Sequence, residues 1–468
     1  MGTISSALSL ITGALEADQA ALNVVANNVA NASNTTYTRQ VANWQENQPV
    51  YVNGTAYGTG VTMTGWVSQR DRVLNQRLQQ QQQASASASS LLSALTTTQT
   101  SFTVASGTST SGDIGTDITS FFNSLTQLEA SPTSNPLRQQ VLSTATTLAS
   151  DISGASASLS AQQSSLNQSI TSEVSQVNTL TASLAQVSQQ IQSTSPNQDA
   201  GVLEDQRQND LSQLAQLIGI NQVTTENNGM SVTTTAGQLL ATSGNSFALT
   251  TGMVGGVAHI YLNGTDITTA LASGGGQISG QLMARDQVIP STLSSLDQLA
   301  YSISTQVNTV NNAGTDMAGD NGGAGNIFTP PPTVAGSAAS MSVVMTDPSH
   351  IAAAGLGNGT GDNSNMVTMA NLGTQSIVNG QTPSNYYSNI VSTLGNAVSA
   401  ATTESTALSA LVTQLQNQVS ALSSVNLNDE ASSMQQFERS YQAASQVFTI
   451  LNTVMASALN IGVETAVA

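Results

Sequence analysis

Apolar residues recur every three and four positions at both ends of this 468-residue chain, and that recurrence limits what either end can do alone. Near the N-terminus they fall at Ile4, Leu8, Ile11, Leu15, Leu22, Val25 and Val29, with Asp18 breaking the series. Near the C-terminus Met434, Phe437, Tyr441, Ala444, Phe448, Leu451, Met455 and Ala458 step 3, 4, 3, 4, 3, 4, 3, with Leu459 beside the last. A repeat of 3.5 lines one edge of an α-helix and calls for a partner helix to cover it. The N-terminal helix would be about 40 Å long, and isolated helices of that size are marginal in water. The sparing solution packs the two ends on each other, which makes everything between them an insertion. Seam residues do not reveal which chain they meet, so an intrachain bundle and packing between subunits both fit the pattern.

The interior changes period three times. Residues 50–67 carry Gly54, Gly58, Gly60 and Gly65 among short β-prone runs, and long helices are expected from about Gln69 to Ile218, punctuated by Pro132, Pro136 and Pro196. The Gln79–Gln83 run and the Ala-Ser repeats after it are low in complexity but rich in helix formers. From Asn221 to about Ile278, Thr, Val and Gly dominate, and Asn227-Asn228-Gly229, Ala236-Gly237 and Asn263-Gly264 sit between short apolar runs, the turn chemistry of a small β module. Helix resumes near Gln281. A polar stretch from Asn311 to Pro332 leads to a strand expected at Met341–Met345, and a last long helix is expected from about Tyr386 to Val425. The fold expected is mainly α with an inserted all-β module. A terminal coiled-coil domain (1–65 and 425–468) joins a central helical domain (66–220 and 281–424) that carries an outer β domain (221–280).

Composition narrows the chemistry. Eight Lys+Arg stand against 26 Asp+Glu for a net charge of −18, charged residues make up only 7%, and Cys is absent. All eight cations are Arg. Without Cys or Lys there is no thiolate metal site, thiol nucleophile, Schiff base or Walker lysine. So acidic a chain offers no footprint for a nucleic-acid backbone, no apolar run is long enough for a membrane span, and the N-terminus does not read as a secretory signal. His259 and His350 lack metal-motif spacing. The loop Asp316–Gly323 has the wrong spacing for calcium, and Glu204-Asp205 is expected on an exposed helix. No catalytic, cofactor or metal site is expected. Residues 1–80 hold four acids and four Arg, so the acidity is concentrated away from the ends that must pack.

The stretch Leu15–Val41, LEADQAALNVVANNVANASNTTYTRQV, closely resembles the N-terminal signature of flagellar rod, hook and hook-associated axial proteins. Gly58-Thr59-Gly60-Val61 and Gln69-Arg70-Asp71-Arg72 continue it, and VNLNDEASSMQQFERSYQAASQVFTILNTV from Val425 resembles the C-terminal signature. Interior blocks from Gly280 to Gly314, with Gly361-Asp362-Asn363, are similar to those of hook-associated members at the hook–filament junction. Asn34-Thr35-Thr36 replaces the usual Thr-Pro-Gly before Tyr37, so a different turn is expected there, and the short section after Gly314 suggests one outer domain rather than two.

The resemblance implies a structural protein of the bacterial flagellum, extracellular and exported through the flagellar type III apparatus. It would form a junction ring by self-association on the hook protein, with a second junction protein, and indirectly the filament cap and flagellin, on the distal side. An export chaperone would escort it; neither nucleic acid nor membrane insertion is implied. The alternatives are another axial subunit (hook, rod or filament) or a coiled-coil surface adhesin. The assembly interface is assigned to Ile4, Leu8, Ile11, Leu15, Leu22, Val25, Val29, Phe437, Tyr441, Phe448, Leu451, Met455 and Leu459, with Tyr37 and Arg39. Asn27, Asn28 and Asn31 are expected to cap the helix locally or to bond a neighbour. Arg70, Asp71 and Arg72 would form intersubunit pairs or a solvated face.

Overall fold

The computed structural model describes residues 2–52, 54–102, 113–195, 199–321 and 325–464. It begins with α1 (Gly2–Ala30), followed by two nested antiparallel hairpins, β1 (Gln40–Glu46) with β4 (Val61–Ser68) and, at their tip, β2 (Val50–Val52) with β3 (Thr55–Tyr57). Four helices follow: α2 (Arg72–Thr100), α3 (Ile114–Ala130), α4 (Asn135–Thr194) and α5 (Val202–Leu217). Their starts are written in the sequence. Asp71 accepts the N–H groups of Val73 and Leu74 at 2.9 Å, Asp113 accepts that of Gly115 at 3.1 Å, and Pro136 opens α4, where its missing N–H costs nothing.

The β module is two antiparallel sheets: β5 (Ile220–Thr224), β6 (Met230–Thr234), β7 (Leu239–Thr242) and β8 (Asn245–Ser246) in one, β9 (Leu249–Val254), β10 (Val257–Leu262) and β11 (Thr265–Asp266) in the other. The predicted turns are in place. Asn263 and Gly264 hold φ of 50° and 79° in the two-residue link that opposes Leu262 to Thr265, as a type I′ turn requires. Then come α6 (Thr268–Ala272), α7 (Gln277–Met283), a π-helical turn and α8 (Ile289–Ala313). The chain ends with α9 (Ser337–Ser340), α10 (Ser364–Asn371), α11 (Pro383–Ser423) and α12 (Leu427–Glu464).

The 60-residue α4, about 90 Å long at the usual rise, serves two cores with one stripe. Val141, Leu148, Ile152 and Leu159 pack with α3, α8, α10 and α11, while Ile170, Val174, Val177 and Leu184 pack with α5 and both sheets of the β module. Along α2 and α11 the Ala-Ser composition lets the helices approach closely. Ser89 and Ser405 meet at 3.0 Å and Ser85 and Ser409 at 3.3 Å.

Three expectations change. Met341–Met345 is not a strand: a single bridge joins Phe328 to Val343, and Met341 and Met345 are instead buried anchors of an irregular segment. Strand structure in the N-terminal region begins at Gln40, before the glycine-rich run. Helix resumes after the β module at Thr268 rather than near Gln281, because Leu271, Ile278 and Leu282 already serve the second core. Pro196 lies outside the described residues.

Candidate assembly interface

The two ends do pack on each other, with the pairing anchored where α1 finishes and α12 starts. Asn28 and Glu430 are each 1% exposed, and Asn28 Nδ2 donates to Glu430 Oε2 at 3.0 Å. Both helices run away from that point, so they are antiparallel. The whole Asn28 carboxamide is in use. Nδ2 also donates to the Gln40 carbonyl at 2.8 Å, and Oδ1 accepts Tyr37 Oη–H at 2.8 Å and Gln40 N–H at 3.0 Å. Arg39 Nε donates to Glu430 Oε1 at 2.6 Å, and Arg39 N–H to the Ser423 carbonyl at 2.9 Å. Glu430 lies in the first turn of α12, where the helix dipole favours a carboxylate. Burial, then the charges of Asp205 and Glu430, push the Tyr37 hydroxyl up to about 12, so it stays a donor at physiological pH.

A second set of carboxylates ties this unit to the helical body. Asp205 accepts Thr38 Oγ1–H at 2.6 Å and Thr38 N–H at 3.1 Å, while Arg70 spans Glu204 and Asp205. Asp199 accepts Ser68 N–H at 2.6 Å and Gly201 N–H at 2.8 Å. Gly201, at φ +52°, lies against the Trp66 ring, which a Cβ there would meet at 2.1 Å, so this approach requires glycine.

Several assignments from the sequence are revised. Glu204 and Asp205 are 3% and 8% exposed, not an exposed pair, because Arg70 and Thr38 cover them. Arg70 pairs within the chain, Asp71 is an N-cap, and Arg72 reaches Glu204 at 3.5 Å from a largely solvated position, so of the two expectations, intersubunit pairs or a solvated face, Arg70 follows neither. Asn28 is not a cap, whereas Asn31 Nδ2 does bond Asn27 O and Oδ1, both at 2.9 Å. The turn before Tyr37 is built by Asn34, whose Oδ1 accepts Thr36 N–H at 3.1 Å.

The α1 seam is displaced from the one expected. Its most buried residues are Ala17, Asp18, Ala21, Val24, Val25 and Asn28, whereas Ile4, Leu8, Ile11, Leu15 and Leu22 are half-buried and Val29 is exposed. On α12, Phe437, Phe448, Leu451 and Met455 are half-buried; the Phe437 ring lies 6.2 Å from that of Trp44 of the hairpin, tilted by 40°. Tyr441 and Leu459 are exposed, as are Val447, Ile450 and Val454, which step 3 and 4 along a second face. Glu430 lay outside the series read from the sequence, though one more step of four back from Met434 reaches it.

Of the two histidines, His259 Nδ1 meets Asp266 at 2.6 Å and His350 Nδ1 meets Asp316 at 2.7 Å. Asp316, Asp320 and His350 lie within 4.8 Å of one another. Asp316 Oδ1 is already occupied by the N–H groups of Ala318 and Asp320, which makes this an Asx-type turn closed by a histidine. Residues 322 and 323 of that loop lie outside the described residues. No described helix is long and apolar enough to cross a membrane.

The chain is similar to known flagellar proteins. Residues 103–328 match the family described as flagellar hook-associated protein FlgK helical domain, and residues 11–37 match flagella basal body rod protein. The flagellar hook-associated protein 1 of Escherichia coli K12 is 25% identical over an alignment of 562 positions that covers 98% of this chain and all of the relative. Since that alignment is longer than this chain, the relative carries segments this chain lacks. The Bacillus subtilis 168 protein of the same name is 25% identical, covering 96% of both. A solved structure, the flagellar hook junction protein FlgK from Burkholderia pseudomallei, superposes with a TM-score of 0.65 at 20% identity, covering 73% of this chain and 99% of that one, a likeness of fold.

Proposed function

Because this chain belongs to the flagellar hook-associated protein 1 family, we propose that it forms the ring of subunits connecting hook to filament. It is a structural component of the flagellum. The observation that carries the finer reading is the state of the two ends. They are paired, yet α12 still presents Val447, Ile450 and Val454 along one face, from 42% to 61% exposed. A contiguous apolar face of this kind marks an interaction surface, and neighbouring copies are the partners that fit a ring. In this reading the terminal unit (1–65 and 425–468) packs in an inner layer, the central domain (66–220 and 281–424) surrounds it, and the β domain (221–280) lies outermost. The subunits sit on the hook protein, a second junction protein follows, and the filament cap and flagellin lie beyond. The chain is exported with a chaperone's help, works outside the cell, and carries no enzymatic activity.

Deleting the gene tests this. Hooks without filaments, with flagellin released into the medium, are expected. Normal filaments overturn the reading, and loss of the hooks would assign the chain to a hook or rod role, as the rod-protein match over residues 11–37 would then suggest.

A further inference from the structure

The helix pair faces a register problem that its apolar residues do not solve. In an antiparallel pair, steps of seven from Asn28 and Glu430 set Ala21 opposite Phe437, Ala14 opposite Ala444 and Ala7 opposite Leu451. The α1 side of this series is alanine at every step. A slip of one heptad sets Ala14 opposite Phe437 and Ala7 opposite Ala444, again small or large apolar residues against alanine. Beyond the contact of Phe437 with Trp44, what the slip destroys is polar. Glu430 then faces Ala21, Asn28 loses its fourth hydrogen bond, and Arg39 loses the carboxylate it meets at 2.6 Å.

We propose that Glu430 fixes the register of the terminal helix pair, acting through Asn28 and Arg39 as a positioning residue rather than as a source of stability. A single buried polar residue on a helical seam specifies alignment in this way because every other alignment leaves it unpaired. Asn28 is held for the purpose: Tyr37 and the two backbone groups of Gln40 fix its carboxamide, leaving one N–H aimed at α12. Position 430 also starts the α12 seam, so locking it there sets all the positions that follow.

The chain has no Cys, so introduced pairs report register on a clean background. Ala21→Cys with Phe437→Cys marks the observed register, and Ala14→Cys with Phe437→Cys marks the slipped one. In the otherwise unchanged full-length chain, oxidation followed by non-reducing electrophoresis should favour the first pair by about tenfold or more, the value of one hydrogen bond to a charged group. Adding Asn28→Leu and Glu430→Leu, which leaves no carboxylate or carboxamide behind, should keep the helical circular dichroism and bring the ratio near unity. Glu430→Gln, which still offers Asn28 an acceptor, should retain most of the preference. A purely stabilising role would lower both crosslinks together and leave their ratio alone.

An undiminished ratio in the double-leucine variant overturns the proposal, as does the absence of any preference in the parent. Should that variant fail to fold, Glu430→Ala is read in the same way, and an undiminished ratio there overturns it equally. The measurement concerns one chain's internal geometry, so its failure and that of the junction reading are separate results.

Discussion

Asp117, in the first turn of α3, is the carboxyl whose environment departs furthest from water in a functionally useful pH range. Burial, then a hydrogen bond to Asp151 on α4 and the charges of Asp151 and Asp113, push it from the ordinary aspartate value of 3.8 up to about 7. A proton on Asp117 relieves the repulsion among these neighbouring carboxyls. The folded state therefore holds a proton that the unfolded chain releases near pH 4. Stability from this pair is complete below about pH 4, falls as pH rises toward about 7, and is flat above. Asp117→Asn removes the titrating group while keeping a donor for Asp151. Melting temperatures measured from pH 4.5 to 8 should fall less with rising pH in the variant than in the parent. Parallel curves would show that Asp117 holds no such proton in the folded state. The sequence alone hid this site, as it hid the burial of Glu204 and Asp205. Carboxylates are ordinarily exposed, and nothing in their local spacing announces the Asp, Thr or Arg that arrives from a distant element.

At the scale of elements, the legible part was whatever depends on local periodicity and turn chemistry. The pairing of the ends, the long helices, and the Asn-Gly turns of the β module all follow from spacing and from residues that tolerate positive φ. Within one chain the buried stripe of α1 keeps Val25 but runs through alanines, which apolar spacing does not weight. The most buried face of α1 is small, with Ala17 and Ala21 at 5% and 0% exposed, and the leucines stand partly outside it. If the second apolar face of α12 meets neighbouring subunits, a charge at Ile450, 61% exposed, should spare the monomer and harm the ring. Ile450→Glu is expected to change monomer stability by no more than about 0.5 kcal/mol, the usual range for surface substitutions, while sharply lowering the amount of protein recovered on isolated hooks. Recovery at the parent level would remove this face from the subunit interface.

Over the whole molecule, apolar and polar forces divide the work. Among the described residues, neither hydrophobic core takes a side chain from α1, the N-terminal hairpins or α12. The terminal unit is joined to the body through α11, α2 and polar clamps: Thr38 on Asp205, Ser68 on Asp199, and Arg70 on Glu204 and Asp205. Clamps of this kind are specific in direction but sensitive to the loss of one partner, which strands a buried charge, whereas the two cores along α4 are held by area and persist without them. Removing residues 2–30 therefore separates the two roles. It takes away Asn28 and the α1 seam but leaves Thr38, Ser68 and Arg70 on their carboxylates. The truncated chain should keep a cooperative thermal transition for its helical body and β module, with only the helicity of α1 and part of α12 missing from its circular dichroism. It should also fail to appear on hooks when expressed in a strain lacking the full-length gene. Loss of the main transition would show that the ends support the body. Normal recovery on hooks would show that the ends are dispensable for assembly, contrary to a design in which the acidic interior faces water and the near-neutral N-terminal end is kept for burial.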